Sequence, residues 1–234
     1  MKKFVTLFTV AIMMAVFTAG SQPTAAANSS STQLLTVILD KVARAGQQLK
    51  SLQANLSQQK INTQLGIKDP IEIGVIYYKP LGNGKSQLRI DYINPEPKTL
   101  IVNGDFISFY QPIINQAFES TAKNLSKGQA GALISFTINT SMRNNYNIDL
   151  GKDEVINGKK TTQLIFTPKN LPASQIKRLE VWIDNDTWLP IKHQFTERNN
   201  DITWVALSDL KQNVPLPGNQ FKPTYKAGTK VVKG

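Results

Sequence analysis

The chain has 234 residues, a formal net charge of +11, no cysteine and a single histidine. That length suits one domain with a sizeable core, and the missing cysteines exclude disulfides, thiolate catalysis, cysteine-ligated metals and a lipidated N-terminal cysteine. Charged side chains are sparse and the lysines and arginines are scattered, which argues against a nucleic-acid surface.

Lys2 and Lys3 precede an apolar run, Phe4–Phe17, that is too short to cross a bilayer as a mature span. Ala25-Ala26-Ala27 supplies small residues for cleavage. Residues 1–27 are expected to be a signal peptide, cut after Ala27 with Gly20 as the rival site, and residues 28–234 one mature domain. Removing the leader takes away two lysines and no acid, so the net charge falls from +11 to +9. No second apolar run could serve as a membrane helix, so an exported, soluble protein is expected. Its basic surface favours anionic headgroups or acidic partners, or simply keeps it soluble.

Asn28–Ser31 reads as a polar tail. Ser31 or Thr32 then caps a helix to about Lys50, with Leu34, Leu35, Ile38, Val42, Ala45 and Leu49 on one apolar stripe. Leu52–Lys60 switches to period two, with Leu52, Ala54 and Leu56 on one face. Ile61–Pro70 reads as a loop. Ile71–Tyr78 is a strand ended by Lys79-Pro80, and Leu88–Tyr92 alternates with Leu88, Ile90 and Tyr92 on one face. After Pro95 and Pro97, Thr99–Val102 and Phe106–Tyr110 flank Asn103-Gly104, a strong hairpin signal. Gln116–Thr121 is a weaker strand.

The pattern then changes. Gln129–Ile138 places Ala130, Leu133, Ile134 and Phe136 at helical spacing, and Ser141–Tyr146 adds a further helical turn. This short apolar helix has two readings: a plug that completes the core, or part of a movable cover over a cavity. Beyond it come hairpins. Tyr146–Val155 and Thr161–Pro168 flank Asn157-Gly158, and Ile176–Asp184 and Trp188–Glu197 flank Asn185-Asp186. Ile202–Gln212 is the last long strand, and a short β-like Thr229–Lys233 closes the chain. With no βαβ alternation, the sheet of about eleven strands is expected to be antiparallel. A sheet that large curls. The derived fold class is α+β, mainly β: an incomplete antiparallel barrel covered by the N-terminal helix and the short central helix.

Little chemistry is legible. His193 has no second histidine or cysteine for a metal, and no G-x-S-x-G elbow supplies a serine. Gly84-Lys85-Ser86 lacks the first glycine of a phosphate loop, since position 79 is Lys79, and a strand follows it. Asp184-Asn185-Asp186 lacks the glycine and glutamate of a calcium loop and reads as a hairpin turn. What remains is apolar surface. The sheet face would gather Leu52, Leu56, Leu164, Phe166, Val181 and Ile183, with Leu179, Leu189, Ile191, Phe195 and one face of Ile71–Tyr78 beside them. The helices would add Leu34, Ile38, Leu133, Ile134 and Phe136. These residues either fill one another or line a cavity.

Several features recur in one order: Gly74 before an aromatic pair, Lys79-Pro80, Arg89, the Pro95–Pro97 break, "IVNGD" and "FYQP". "GKKTTQLIFTPK", "IKRLEVWIDNDTWLPIKHQFTE" and the late "LPGNQF" follow. In order and spacing the chain resembles the outer-membrane lipoprotein carrier (LolA-type) family over nearly all of the mature part. The resemblance implies a half-open barrel closed by a helical lid, in the periplasm of a Gram-negative envelope. It implies no enzyme and no cofactor. It implies a monomeric carrier that binds the acyl chains of lipoproteins in a hydrophobic cavity. Its partners would be acylated lipoproteins, an inner-membrane ABC-type release complex and an outer-membrane acceptor lipoprotein. In that family an arginine before the proline ending the second strand latches the lid through main-chain carbonyls. Lys79 stands there in this sequence, keeping the charge without the planar fork of donors. A lipid- or lipoprotein-sensing regulatory or structural module with the same fold is the alternative. A hydrolase has no nucleophile–base pair to work with.

Overall fold

The computed structural model describes residues 24–82, 85–121, 140–170 and 176–234. Helix α1 (Thr24–Gln48) opens the described chain. Ala25–Ala27 are strong helix formers and no proline interrupts the segment, so the helix begins well before Thr32. Asn28–Ser31 are therefore helical rather than a polar tail. A second, short helix, α2 (Thr140–Asn145), matches the turn expected from Ser141. The central helix expected over 129–138 lies outside the described residues.

Among the described residues, fourteen strands follow α1 in chain order: β1 (Leu52–Asn62), β2 (Ile67–Lys68), β3 (Glu72–Gly82), β4 (Lys85–Asn94), β5 (Lys98–Asn103), β6 (Phe106–Gln111) and β7 (Gln116–Thr121), then, after α2, β8 (Tyr146–Leu150), β9 (Glu154–Ile156), β10 (Lys159–Pro168), β11 (Ile176–Asp184), β12 (Pro190–Glu197), β13 (Ile202–Gln212) and β14 (Lys230–Lys233). They form one sheet in the order β14-β7-β6-β5-β4-β3-β1-β13-β12-β11-β10-β8, with β2 on β1 and β9 on β10. The N-terminal meander runs away from β1 on one side and the C-terminal hairpins run away on the other. Pairing of β1 with β13, from Leu52↔Gln212 to Ile61↔Ile202, joins the two halves. β14 and β8 stay apart at the two ends, so the barrel is incomplete.

Local expectations fail in four instructive places. The sheet is not wholly antiparallel, because β14 runs parallel to β7. Lys79-Pro80 does not end β3, which continues to Gly82 along β4, with Lys79↔Gln87 and Pro80↔Ser86. Pairing of β3 with β1 stops at Tyr78↔Leu52, so Pro80 has a neighbour on one side only, where a missing N–H is tolerated. The stretch read as a loop, 61–70, holds the end of β1 and all of β2. The strand read over 146–155 divides into β8 and β9 around Gly151, whose N–H donates to Gln163 O at 2.8 Å.

Turn chemistry is as expected in kind, with one shift. Ile156 pairs with Lys159 across Asn157-Gly158, and both turn residues have positive φ, 51° and 78°. At the other Asn-Gly the pair is Asn103↔Phe106, so the two-residue loop is Gly104-Asp105 with Gly104 at φ 62°.

The buried residues of α1 and of both halves of the sheet form one apolar cluster. The outer face of β4–β7 lies under the segment that follows β13. Phe221 is buried there, Tyr225 shares a hydrogen bond with Ser108 (2.7 Å) and donates one to Glu119 (2.8 Å), and Arg89 Nη1 donates to Gln220 O.

Candidate functional site

Strand alternation turns one side chain in two toward α1. In the C-terminal half these are Leu164 and Phe166 of β10, Leu179, Val181 and Ile183 of β11, Phe195 of β12, and Val205 and Leu207 of β13. Leu52, Ala54 and Leu56 of β1 join them to Ile76 and Tyr78 of β3, and α1 adds Ile38, Leu39, Val42 and Leu49. Leu56 shows why one cluster results: it faces Gly74 on one neighbour and Leu207 on the other. Gly74 is required here, since a β-carbon would come within 2.4 Å of Asp91 O.

Eight residues expected at the site therefore fall in one buried cluster: Ile38, Leu52, Leu56, Leu164, Phe166, Val181, Ile183 and Phe195. Ile191 is buried but sits at the register shift between β11 and β12, outside that cluster. Leu34 is 53% exposed, because α1 is rolled so that Leu39 faces inward instead. Leu133, Ile134 and Phe136 lie outside the described residues. Sequence reasoning placed one face of Ile71–Tyr78 there but missed the rest of the meander: Leu88, Ile90 and Tyr92 of β4, Leu100 and Val102 of β5, and Ile107 of β6. The signal is there in the alternation of Leu88, Ile90 and Tyr92, which marks a buried face without saying what that face is buried against.

Lys79 occupies the opposite face. It follows the buried Tyr78 by one position, pairs with Gln87 and is exposed. Its side chain leaves the sheet on the side away from the apolar cluster.

The cluster gives way to polar groups at one end of the sheet. Tyr92 Oη donates to Gln58 Oε1 at 3.2 Å. Burial, and then the charge of Glu72, push its phenol well above the usual range. Lys98 pairs with Glu72 and lies 4.7 Å from the Tyr92 ring centre. Lys60 Nζ is 3.3 Å from Glu197 Oε1 and 3.9 Å from Asp201 Oδ2. Within the apolar floor, His193 is 5% exposed and stacks on Phe195 with ring centres 6.2 Å apart. Burial pulls its pKa down to about 4, so the imidazole stays neutral near neutral pH.

At the other end, Asp184 is fully buried and behaves as a turn residue. It accepts from Lys159 Nζ (2.6 Å), the Asp186 N–H (3.1 Å) and Thr187 Oγ1 (2.9 Å). Burial alone would raise its pKa; these hydrogen bonds outweigh it and hold the carboxyl below its usual range. Among the described residues no group of three His, Asp or Glu side chains could hold a metal ion, and no helix is long and apolar enough to cross a membrane. The arrangement is one buried apolar cluster, shared by α1 and both halves of the sheet, with polar groups at its ends.

A family model described as "Outer membrane lipoprotein carrier protein LolA" matches residues 47–224. None of the curated proteins matches. Among solved structures, an uncharacterized conserved protein from Thermus thermophilus is similar at 14% identity and a TM-score of 0.55, over 86% of this chain and all of that one. MucB is similar at 15% identity and a TM-score of 0.50, over 84% of this chain and 63% of MucB. The Mycobacterium tuberculosis lipoprotein LppX follows at 18% identity and a TM-score of 0.47, over 80% of this chain and 99% of that one.

Proposed function

The chain belongs to the outer membrane lipoprotein carrier protein family LolA, and on that premise we propose that it is a periplasmic carrier for the acyl chains of lipoproteins. The observation that carries this reading is the single apolar cluster on the inner face, fed by both halves of the sheet and by α1. It takes up acyl chains released at the inner membrane, from an ABC-type complex, and yields them to an acceptor at the outer membrane. Export relies on removal of residues 1–27, so that α1 starts at Asn28 in the mature protein. N-terminal sequencing of the exported form reads that cut.

Energetics limit how such a carrier works. Complete burial of one sixteen-carbon chain is worth up to about 13 kcal/mol, at about 0.8 kcal/mol per methylene. Two or three chains held that well would not leave on a useful timescale. A carrier therefore leaves part of each chain uncovered, or spends part of the binding energy on separating its own cover from the sheet. Transfer then runs downhill between successively better apolar sites, with no covalent step.

The test is mass spectrometry of lipid extracted from gently purified protein, with release of a tagged lipoprotein to outer-membrane vesicles followed in parallel. Acylated material in the extract and transfer to vesicles are expected. Acyl binding without transfer would favour the sensing module, and an extract free of acylated material would overturn the carrier reading.

A further inference from the structure

At the turn between β12 and β13 the apolar floor meets a polar group that chain burial alone does not use. Thr203 pairs with Lys60 of β1 on one side and with Phe195 of β12 on the other. Alternation sets it on the same face as Val205 and Leu207. Two residues earlier on that face stands Asp201, only 4% exposed. Its carboxyl is fixed in place. Asn199 Nδ2 donates to Oδ2 at 2.9 Å, Asn199 Oδ1 accepts from the Asp201 N–H at 3.0 Å, and the Glu197 N–H donates to Asp201 O at 2.8 Å. Yet Asp201 Oδ1 and Thr203 Oγ1, both sealed from solvent, have no hydrogen-bond partner. Buried polar atoms left this way are uncommon and cost stability. Here two of them share one edge of an apolar face.

We propose that Asp201 and Thr203 form the head-group subsite for an acyl ligand with an uncharged amide or hydroxyl head, a proposal that rests on the carrier reading. A carboxylate oxygen only accepts, so Oδ1 calls for an N–H or O–H on the ligand. The threonine hydroxyl donates to a carbonyl or ester oxygen. An acyl amide or glycerol ester presents both kinds of atom where its chain begins. A fatty-acid carboxylate does not fit, because Glu197 and Asp201 share the Lys60 ammonium and place a second negative charge beside the subsite. Lys60, with its side chain 36% exposed, is the member that yields to an entering head.

The test is competition of N-dodecanoyl ethanolamine and dodecanoate for a bound fluorescent acyl probe, on the intact mature protein at about pH 8, where the acid is ionised. The readout is the ratio of the two affinities, so any general loss of binding or folding cancels. Wild type is expected to favour the amide by about tenfold, the factor that about 1.4 kcal/mol of hydrogen bonding gives. Thr203→Val and Asp201→Asn should each reduce that ratio to about threefold or less. Equal affinity for the two heads in wild type, or an unchanged ratio in both variants, overturns the subsite and leaves acyl binding standing. If the acyl probe itself fails to bind the wild type, the carrier reading falls and the subsite with it.

Discussion

Replacing Phe166 with alanine tests whether the inner face is packed as a protein interior. The ring is fully buried, edge-on to Tyr146 at 6.1 Å and 83°, between Leu179 and Ile148 on the neighbouring strands. Such truncations cost about 3–5 kcal/mol through lost transfer energy and the cavity left behind. The edge-on pair accounts for about 0.5–1.5 kcal/mol of interaction beyond area. Phe166 lies in β10, near the β8 end of the sheet, where the surroundings collapse more easily than at its centre, so the lower part of the range, about 3 kcal/mol, is expected. A domain stable by about 5–15 kcal/mol survives that loss. Urea unfolding of wild type and variant reads it as a lower midpoint with an unchanged slope. Leu34→Ala, at an exposed position, serves as the control and should move stability by less than about 0.5 kcal/mol. A loss below about 1 kcal/mol for Phe166→Ala would refute the reasoning, since a ring in a close-packed interior cannot be removed so cheaply.

Lys79→Leu should leave both acyl-probe loading and release to vesicles at wild-type values, because Lys79 is exposed on the outer face; slowed release with normal loading would restore it as a latch. Gly74→Ala should lower stability by about 1–3 kcal/mol, visible as a lower urea midpoint, because its methyl meets the Asp91 carbonyl and the backbone must shift. His193 has a folded pKa of about 4, below its ordinary 6.5, so the stability it contributes is fully present above about pH 6.5. That stability is lost as pH falls toward 4, by up to about 3 kcal/mol at 1.36 kcal/mol per unit. Urea midpoints at pH 7.5, 5.5 and 4.5 should fall in wild type and flatten in His193→Leu; parallel profiles would show that another group carries the change. The depressed Asp184 carboxyl acts in a lower window, its contribution present above the ordinary carboxylate pKa and lost on further acidification.

The elements themselves were legible because their signals are local. Alternation marked the inward residues of β1, β4, β10 and β11. Asn157-Gly158 marked a turn that needs two positive φ angles. The apolar composition and the order of the breaks were enough to expect a large curled sheet under a helix. Tertiary structure decided what depends on neighbours distant in sequence. Lys79-Pro80 carries a local stop signal, yet β3 runs through it because β1 begins only opposite Tyr78. The last residues look like a weak strand, and only the docked segment with Phe221 and Tyr225 brings β14 into parallel register with β7. The roll of α1 that exposes Leu34 and buries Leu39 is set by the sheet beneath it, not by helical period. Asp201 and Thr203 look in sequence like the end of an ordinary turn. They become unpartnered polar atoms on an apolar face only when β13 is laid between β12 and β1, a pairing that closes a loop of most of the domain and that no local pattern announces.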